Sequence, residues 1–326
     1  MKTINSICII GGGTAGWMSA AFLYNKNPKL KITIVDKEIG TPVSVGEATI
    51  LNFGSFMDQC GFDSGEWFSS LDATYKSGIL FPDWVEEGKD VWHPFFMNPT
   101  LDSGETSHDA WCKNKDLDFV EYALPMYYNS IENKVDKNEI GAYGFQIDCG
   151  KLVEYLRKKL DNKVTYIPSE AVEMFKYNNY LVKLLLKNDM EITSDFFIDC
   201  SGWESLLKEP DKVDLTGRLF CDTAIATRVP YNDRKTEMKP YVVSRSVDCG
   251  WIWEIPIRTR IGSGLVFNKS ITPTEEAKQH LIKHWDNRIT EEDLKVLNWT
   301  PYYCKNIWED NIVSIGLSAG FIEPLE

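Results

Sequence analysis

The feature that most constrains this chain lies within its first 36 residues. Residues 3–10 (TINSICII) read as a buried strand, Gly11-Gly12-Gly13-Thr14-Ala15-Gly16 as a turn, and residues 17–24 as the start of a helix. Residues 31–35 (KITIV) read as a second strand, and Asp36 ends it. Strand, glycine turn, helix, strand and acid, in that order, make the βαβ unit that binds a dinucleotide. Gly11 permits the tight turn, Gly13 lets the backbone approach a pyrophosphate, and Gly16 lets helix and strand touch. Thr14 and Ala15 complete the loop, where free N–H groups at the helix start meet phosphate charge. Asp36, twenty residues beyond Gly16, is placed to accept hydrogen bonds from ribose hydroxyls. An incidental glycine turn would not carry both strands, the helix and the acid in register. The loop alone does not separate FAD from NAD.

The rest of the composition narrows the partners. A formal net charge of −13 opposes nucleic acid or an anionic membrane as a partner, since phosphate binding needs clustered Lys and Arg. An aromatic share of 13% suits a pocket for a flat ligand, and a large core would absorb it equally well. The 8 cysteines form no C-x-x-C pair and are expected to be reduced core thiols of a cytoplasmic protein. The apolar run at 4–10 is too short for a signal peptide, and no stretch has the length of a membrane span.

Residues 41–140 are irregular, aromatic and rich in Gly, Pro and Asp, and read as loops and short strands. An amphipathic helix is expected at 150–160 and strands at 163–167, 180–187 and 195–199. Residues 223–229, 241–247, 250–257 and 264–267 alternate like antiparallel strands. Thr272 reads as a helix cap, with Pro273 in the first position, Glu275 closing a capping box and the helix running to about 285. Residues 312–316 read as a last strand. His280 and His284 share a helical face but lack the H-E-x-x-H pattern, so no metal is expected.

Several segments resemble the flavin-dependent halogenases of the tryptophan-halogenase type, and the resemblance runs along nearly the whole chain. Val45-Gly46-Glu47-Ala48-Thr49 is similar to that family's V-G-E-A-T segment, and Asp199-Cys200-Ser201-Gly202-Trp203 to its D-C-[ST]-G-F turn. Residues 316–326 (GLSAGFIEPLE) are similar to G-L-A-x-G-F-x-E-P-L-E. The resemblance implies FAD, with Val45, Gly46, Glu47 and Ala48 as a strap on the flavin. By the same implication Ser201 and Gly202 form a second contact, Leu317 lies beside the flavin, and Val172 meets the adenine side. Trp251-Ile252-Trp253-Glu254-Ile255-Pro256 matches the W-x-W-x-I-P motif that marks these halogenases. Its two indoles would keep an organic substrate from the flavin while a halide still reaches it. Two tryptophans at i and i+2 also share one face of a strand and suit a core, so both readings hold together.

Lys76, in Thr74-Tyr75-Lys76-Ser77-Gly78-Ile79, resembles the lysine of the family's F-K-x-G-I segment, the catalytic group that meets hypohalous acid. A lysine suits this role as an ammonium that donates a hydrogen bond, or as an amine that forms a haloamine. Outside such a context an isolated lysine is usually solvated. Glu326 is the implied partner, a carboxylate that holds the lysine and removes the ring proton. His93 and Phe95, in His93-Pro94-Phe95, correspond to substrate-pocket residues.

The resemblance thus implies an α/β fold: an FAD/NAD(P)-binding Rossmann-like domain with an inserted, mostly antiparallel β-sheet substrate domain. The first is expected to comprise 1–70, 141–210 and 305–326, the second 71–140 and 211–304. It implies a halogenase that uses FADH2, O2 and a halide on a small indole- or phenol-like substrate. A separate NAD(P)H-dependent flavin reductase would supply FADH2, and a homo-oligomer is compatible. The alternatives are an FAD-dependent aromatic monooxygenase, against which the tryptophan pair argues, and a non-catalytic flavin-binding protein. In the family the last motif continues into a Ser/Ala-Thr pair that holds halide, then a helical region that completes the substrate pocket. Both are expected to be absent from these 326 residues.

Overall fold

A computed structural model describes residues 3–37, 47–95, 103–113, 119, 126–134, 142–207 and 211–325. The strand Ser6–Ile10 is central in its sheet, pairing in parallel with Lys31–Asp36 and with Phe196–Asp199, and both of its faces are covered by packed elements. Its alternate residues serve two cores, as the period-2 geometry of a strand requires. Ile7 and Ile9 join Ile32, Ile34 and Ile198 on one face. Cys8 and Ile10 join Val35, Phe197 and Ile312 on the other. Among the described residues the sheet runs Trp308–Glu309, Ile312–Ser314, Phe196–Asp199, Ser6–Ile10, Lys31–Asp36, Thr165–Pro168, parallel except at its first edge strand.

Helices cover one face of this sheet. Thr14–Lys26 contributes Trp17, Ala20 and Ala21, and Cys149–Lys159 contributes Leu152, Tyr155 and Leu156. Asp148 caps the second helix by accepting from the Lys151 N–H. The other face is covered by the antiparallel strands Ala171–Tyr177, Tyr180–Leu186 and Glu191–Ile192, whose Leu181, Leu184 and Leu186 are fully buried. A parallel sheet covered on both faces is the Rossmann-like arrangement expected.

A second sheet has the order Lys295–Asn298, Thr223–Val229, Ile261–Phe267, Gly250–Pro256, Val242–Val247, Gly78–Pro82, Asp90–Pro94. It is antiparallel except where Val242–Val247 meets Gly78–Pro82. The helix Thr274–His284 packs Ala277, Leu281 and Ile282 on its Ile225, Leu265 and Phe267. The helix start differs from the sequence expectation. Pro273 occupies the cap position with extended backbone, no side chain caps the helix, and Thr272 is buried instead.

A small sheet joins the two parts: Glu47–Ala48 and Thr74–Lys76 pair on either side of Gly144–Ile147. The strand Thr74–Lys76 runs on into Gly78–Pro82 of the large sheet, while Phe145 and Ile147 enter the core beneath the parallel sheet. Between 41 and 140 the expected loops and short strands give way in part to helices, at Asn52–Gln59, Ser64–Ser70, Ser107–Lys113 and Met126–Ile131. The first two bury Phe53, Met57 and Trp67, an apolar load that outweighs the poor helix propensity of their Gly and Ser. All eight cysteines are free, but Cys112 is exposed rather than part of a core. No helix among the described residues is long and apolar enough to cross a membrane.

Candidate active site

The glycine turn opens a cleft of about 1130 Å³ at the carboxyl ends of the parallel strands, where such folds bind nucleotides. Gly11 has φ +108°, which favours glycine, and a β-carbon there would strike the Cys200 carbonyl. A β-carbon on Gly16 would strike the Gly11 carbonyl oxygen, so helix and turn touch only because Gly16 has no side chain. At Gly13 a β-carbon would meet nothing within 4 Å, because this backbone faces the cleft. Thr14, Ala15, Asp36, Ser201, Gly202 and Leu317 also line the cleft.

The far wall is held by the Asp199 carboxylate, which is fully buried. It accepts from the Ser201 N–H at 3.0 Å and the Leu207 N–H at 2.9 Å, shaping the Asp199-Cys200-Ser201-Gly202 turn. Three cleft features escape sequence reading. The absence of a side chain on Gly12 lets the Asp36 carboxylate lie against the loop. The Tyr166 hydroxyl donates to Asp36 at 3.3 Å. The Tyr166 ring stacks with Trp17, centres 5.9 Å apart, and carries the Arg157 guanidinium 4.2 Å from its centre. Nothing in a strand reading of 163–167 marks Tyr166, since Asp36 and Trp17 are distant in sequence and Arg157 lies on a separate helix. Val172 is 56% exposed on its strand, and the lining there comes from Ser169, Glu170 and Ala171.

Glu47 and Ala48 stand on the small sheet. The Glu47 carboxylate accepts from the Cys149 N–H at 3.0 Å. Burial pushes its pKa up to about 7, a rise that the bonds from Cys149 partly offset. Lys76 lies two strands away and is fully buried. Burial lowers its pKa to about 7. Its ammonium sits 5.0 Å from the centre of the Phe95 ring, and the absence of a side chain on Gly144 leaves room for that ring. His93 is exposed and meets Phe95 edge-on at 6.2 Å.

Trp251 and Trp253 lie on one face of their strand with ring centres 6.1 Å apart. The Trp253 indole covers Gly264, which pairs with it across the sheet. It also packs against the cluster of Ile79, Val242, Ile255 and Ile257, which Ala48 borders as well, while Trp251 clusters with Ala224 and Val266, against which Leu325 packs. Burial raises the pKa of Glu323, partly offset by hydrogen bonds from the Leu325 backbone and the Trp251 side chain. Strand register puts Lys76 and Ala48 on one face of the small sheet, with Phe95 against Lys76, and Ala48 borders the same apolar cluster as Trp253. Val45, Gly46 and Glu326 fall outside the described residues. His284 meets Glu254 at 3.1 Å, and His280 meets Glu276 at 3.9 Å.

A dinucleotide fits this cleft: three glycines carry the close approaches, Gly13 is open toward it, and an acid stands at the end of the second strand. The family model for tryptophan halogenase matches residues 6–326. Tryptophan 6-halogenase SttH of Streptomyces toxytricini is 30% identical, over 100% of this chain and 69% of its own. Tryptophan 6-halogenase ThaL of Streptomyces albogriseolus is 29% identical, over 99% of this chain and 67% of its own. Among solved structures, the flavin-dependent halogenase Xcc4156 from Xanthomonas campestris superposes with a TM-score of 0.91 at 29% identity. That match covers 100% of this chain and 68% of the other. The chain thus spans about two thirds of the length of these relatives. It belongs to the tryptophan halogenase family, as an FADH2-dependent oxidoreductase whose cofactor is FAD and whose co-substrates are halide and O2.

Proposed function

We propose that this chain halogenates an electron-rich, indole- or phenol-like ring, with Lys76 presenting hypohalous acid to it. The observation that carries the reading is a lysine wholly buried, lowered to about 7, and set on the same face of the small sheet as Ala48, which borders the apolar cluster of Trp253. When bound, reduced FAD with O2 and halide supplies hypohalous acid. Gly11, Gly13, Thr14, Ala15, Gly16 and Asp36 would hold its pyrophosphate and ribose, and Val172 would meet the adenine side. Val45, Gly46, Glu47 and Ala48 would strap the flavin ring opposite Ser201, Gly202 and Leu317. Trp251 and Trp253 would keep bulky organic molecules from that ring.

Near neutral pH Lys76 populates both its ammonium and its amine. The ammonium can donate to the oxygen of hypohalous acid and so make the halogen more electrophilic. The amine can exchange its proton for the halogen, releasing water, and pass the halogen on as a haloamine. In either case the ring gains the halogen and loses a proton, which Glu326 would accept. Phe95 and His93 would line the ring's pocket. In this reading residues 1–70, 141–210 and 305–326 hold the flavin, and 71–140 with 211–304 hold the substrate. A separate NAD(P)H-dependent reductase would supply FADH2 in the cytoplasm.

The test supplies reductase, NADH, FAD, O2 and a panel of indoles and phenols, with and without bromide or chloride. Halogenated product that requires halide is expected. Hydroxylated product formed without halide would replace this reading with a monooxygenase.

A further inference from the structure

Gln146 sits in the middle strand of the small sheet, opposite Ala48 on one side and Thr74 on the other. It is fully buried, and alternation along the strands puts its side chain on the same face as Ala48, Thr74 and Lys76. Its amide nitrogen lies 3.0 Å from Thr74 Oγ1, 3.0 Å from the Tyr75 carbonyl and 3.1 Å from the Lys239 carbonyl. Carbonyl oxygens only accept, so the amide orientation is set by its partners. Thr74 Oγ1 in turn donates to the Pro256 carbonyl at 2.6 Å, at the end of the tryptophan strand.

Lys76 is therefore bracketed. On one side Gln146 ties Tyr75 to Lys239; on the other the Ser77 N–H and hydroxyl both donate to the Pro240 carbonyl at 2.8 Å. The remaining amide atom, Oε1, is buried and has no hydrogen-bond partner among the described residues. A position filled for packing alone needs no amide, since an apolar side chain of similar size avoids desolvating polar atoms. What an apolar residue cannot do is set an amide with two N–H donors among three acceptors, Thr74 Oγ1 and the Tyr75 and Lys239 carbonyls, and so tie the lysine strand to residue 239.

We propose that Gln146 is the positioning residue for Lys76, fixing the lysine strand against the tryptophan strand and the 239–240 turn. This inference rests on Lys76 acting as proposed above. Displacing a reacting group by about an ångström is enough to lose much of its effect. The oxidant-forming half of the reaction, which takes place at the flavin, does not pass through this amide.

The experiment compares the parent chain with Gln146→Met, close in size and lacking the donors, and with Lys76→Ala. Photoreduced FAD, bromide and O2 are supplied directly, with indole as the probe substrate. Three quantities are read: FAD affinity by fluorescence, free hypobromous acid trapped by monochlorodimedone, and bromoindole formed per FADH2. For Gln146→Met, FAD affinity and trapped oxidant should stay within about twofold, while bromoindole falls at least tenfold toward the Lys76→Ala level. Bromoindole within twofold of the parent in Gln146→Met, while Lys76→Ala abolishes it, would overturn the inference and leave the Lys76 reading intact. Loss of FAD binding and trapped oxidant together with product would overturn it as well, making Gln146 a plain structural tie. Bromoindole retained by Lys76→Ala would instead bring down the Lys76 reading, and this one with it.

Discussion

In the nucleotide cleft the surfaces that decide the shape are main-chain: a turn without side chains, helix-start N–H groups, and a carboxylate-braced loop at 199–202. Around Lys76 the deciding groups are side chains: Thr74 of its own strand, with Phe95, Gln146 and Trp253 drawn from other segments. The cleft is also wide and open to solvent charge, whereas the lysine is sealed and shifted toward neutrality by burial. The difference shows how one chain can bind a common cofactor with a standard loop while the environment of its reactive group is set elsewhere.

If the two regions are as separate as this, damage to one should spare the other. The largest effect is expected from Lys76→Ala: halogenated product should fall by about a thousandfold with FAD affinity unchanged, measured as product per FADH2 and by flavin fluorescence. Equal losses in both would break the separation. Next come two alanines in the same loop. Gly16→Ala drives a methyl into the Gly11 carbonyl and should cost about 3 kcal/mol of stability together with FAD binding. Gly13→Ala points its methyl into the cleft. It should leave the unfolding midpoint within about 0.5 kcal/mol of the parent while weakening FAD roughly tenfold. Denaturant melts and flavin titrations on both variants check the pair.

The smaller effects concern pH. Lys76 has a folded pKa of about 7 against an ordinary value of 10.5, so between them the unfolded chain binds more protons and stability rises with pH. Lys76→Met should remove that slope and stabilise the protein at pH 7 by on the order of 2–4 kcal/mol. Glu47 runs the other way: its folded value of about 7 against 4.5 makes stability fall as pH rises between them. Glu47→Gln should remove this second slope, for about 1–3 kcal/mol at pH 8. Urea unfolding at pH 5, 7 and 9 separates the two, and a flat profile for the parent chain would deny both shifts.

What could be read from the sequence follows the same division. The glycine turn and its flanking strands are local, so spacing alone reveals them, and Gly11 and Gly16 make the close approaches their positions predict. Strands 223–229 and 250–257 were legible from their β-rich sequence pattern, although both prove largely covered on each face. Gln146 and Tyr166 carried no signal, because their hydrogen-bond partners lie 71 to 130 residues away. The short helices between 52 and 131 were hidden by aromatic and glycine-rich composition. One signal was present at Asp63, whose carboxylate accepts from the Glu66 N–H and caps Ser64–Ser70. Thr272 misled for the opposite reason: a good capping residue was buried by its neighbours instead.

The three-stranded sheet of Glu47–Ala48, Gly144–Ile147 and Thr74–Lys76 also acts as a ruler. With strands about 4.8 Å apart, its outer members stand roughly 10 Å from each other, a length held by hydrogen bonds rather than by any one side chain. On the reading proposed here, whatever travels from strap to lysine must be small and must survive that transit. The span works as a molecular sieve in time as well as in size. It also frees the receiving end to change, because the ring-binding walls can be rebuilt for a new acceptor without retuning the end where oxygen is activated.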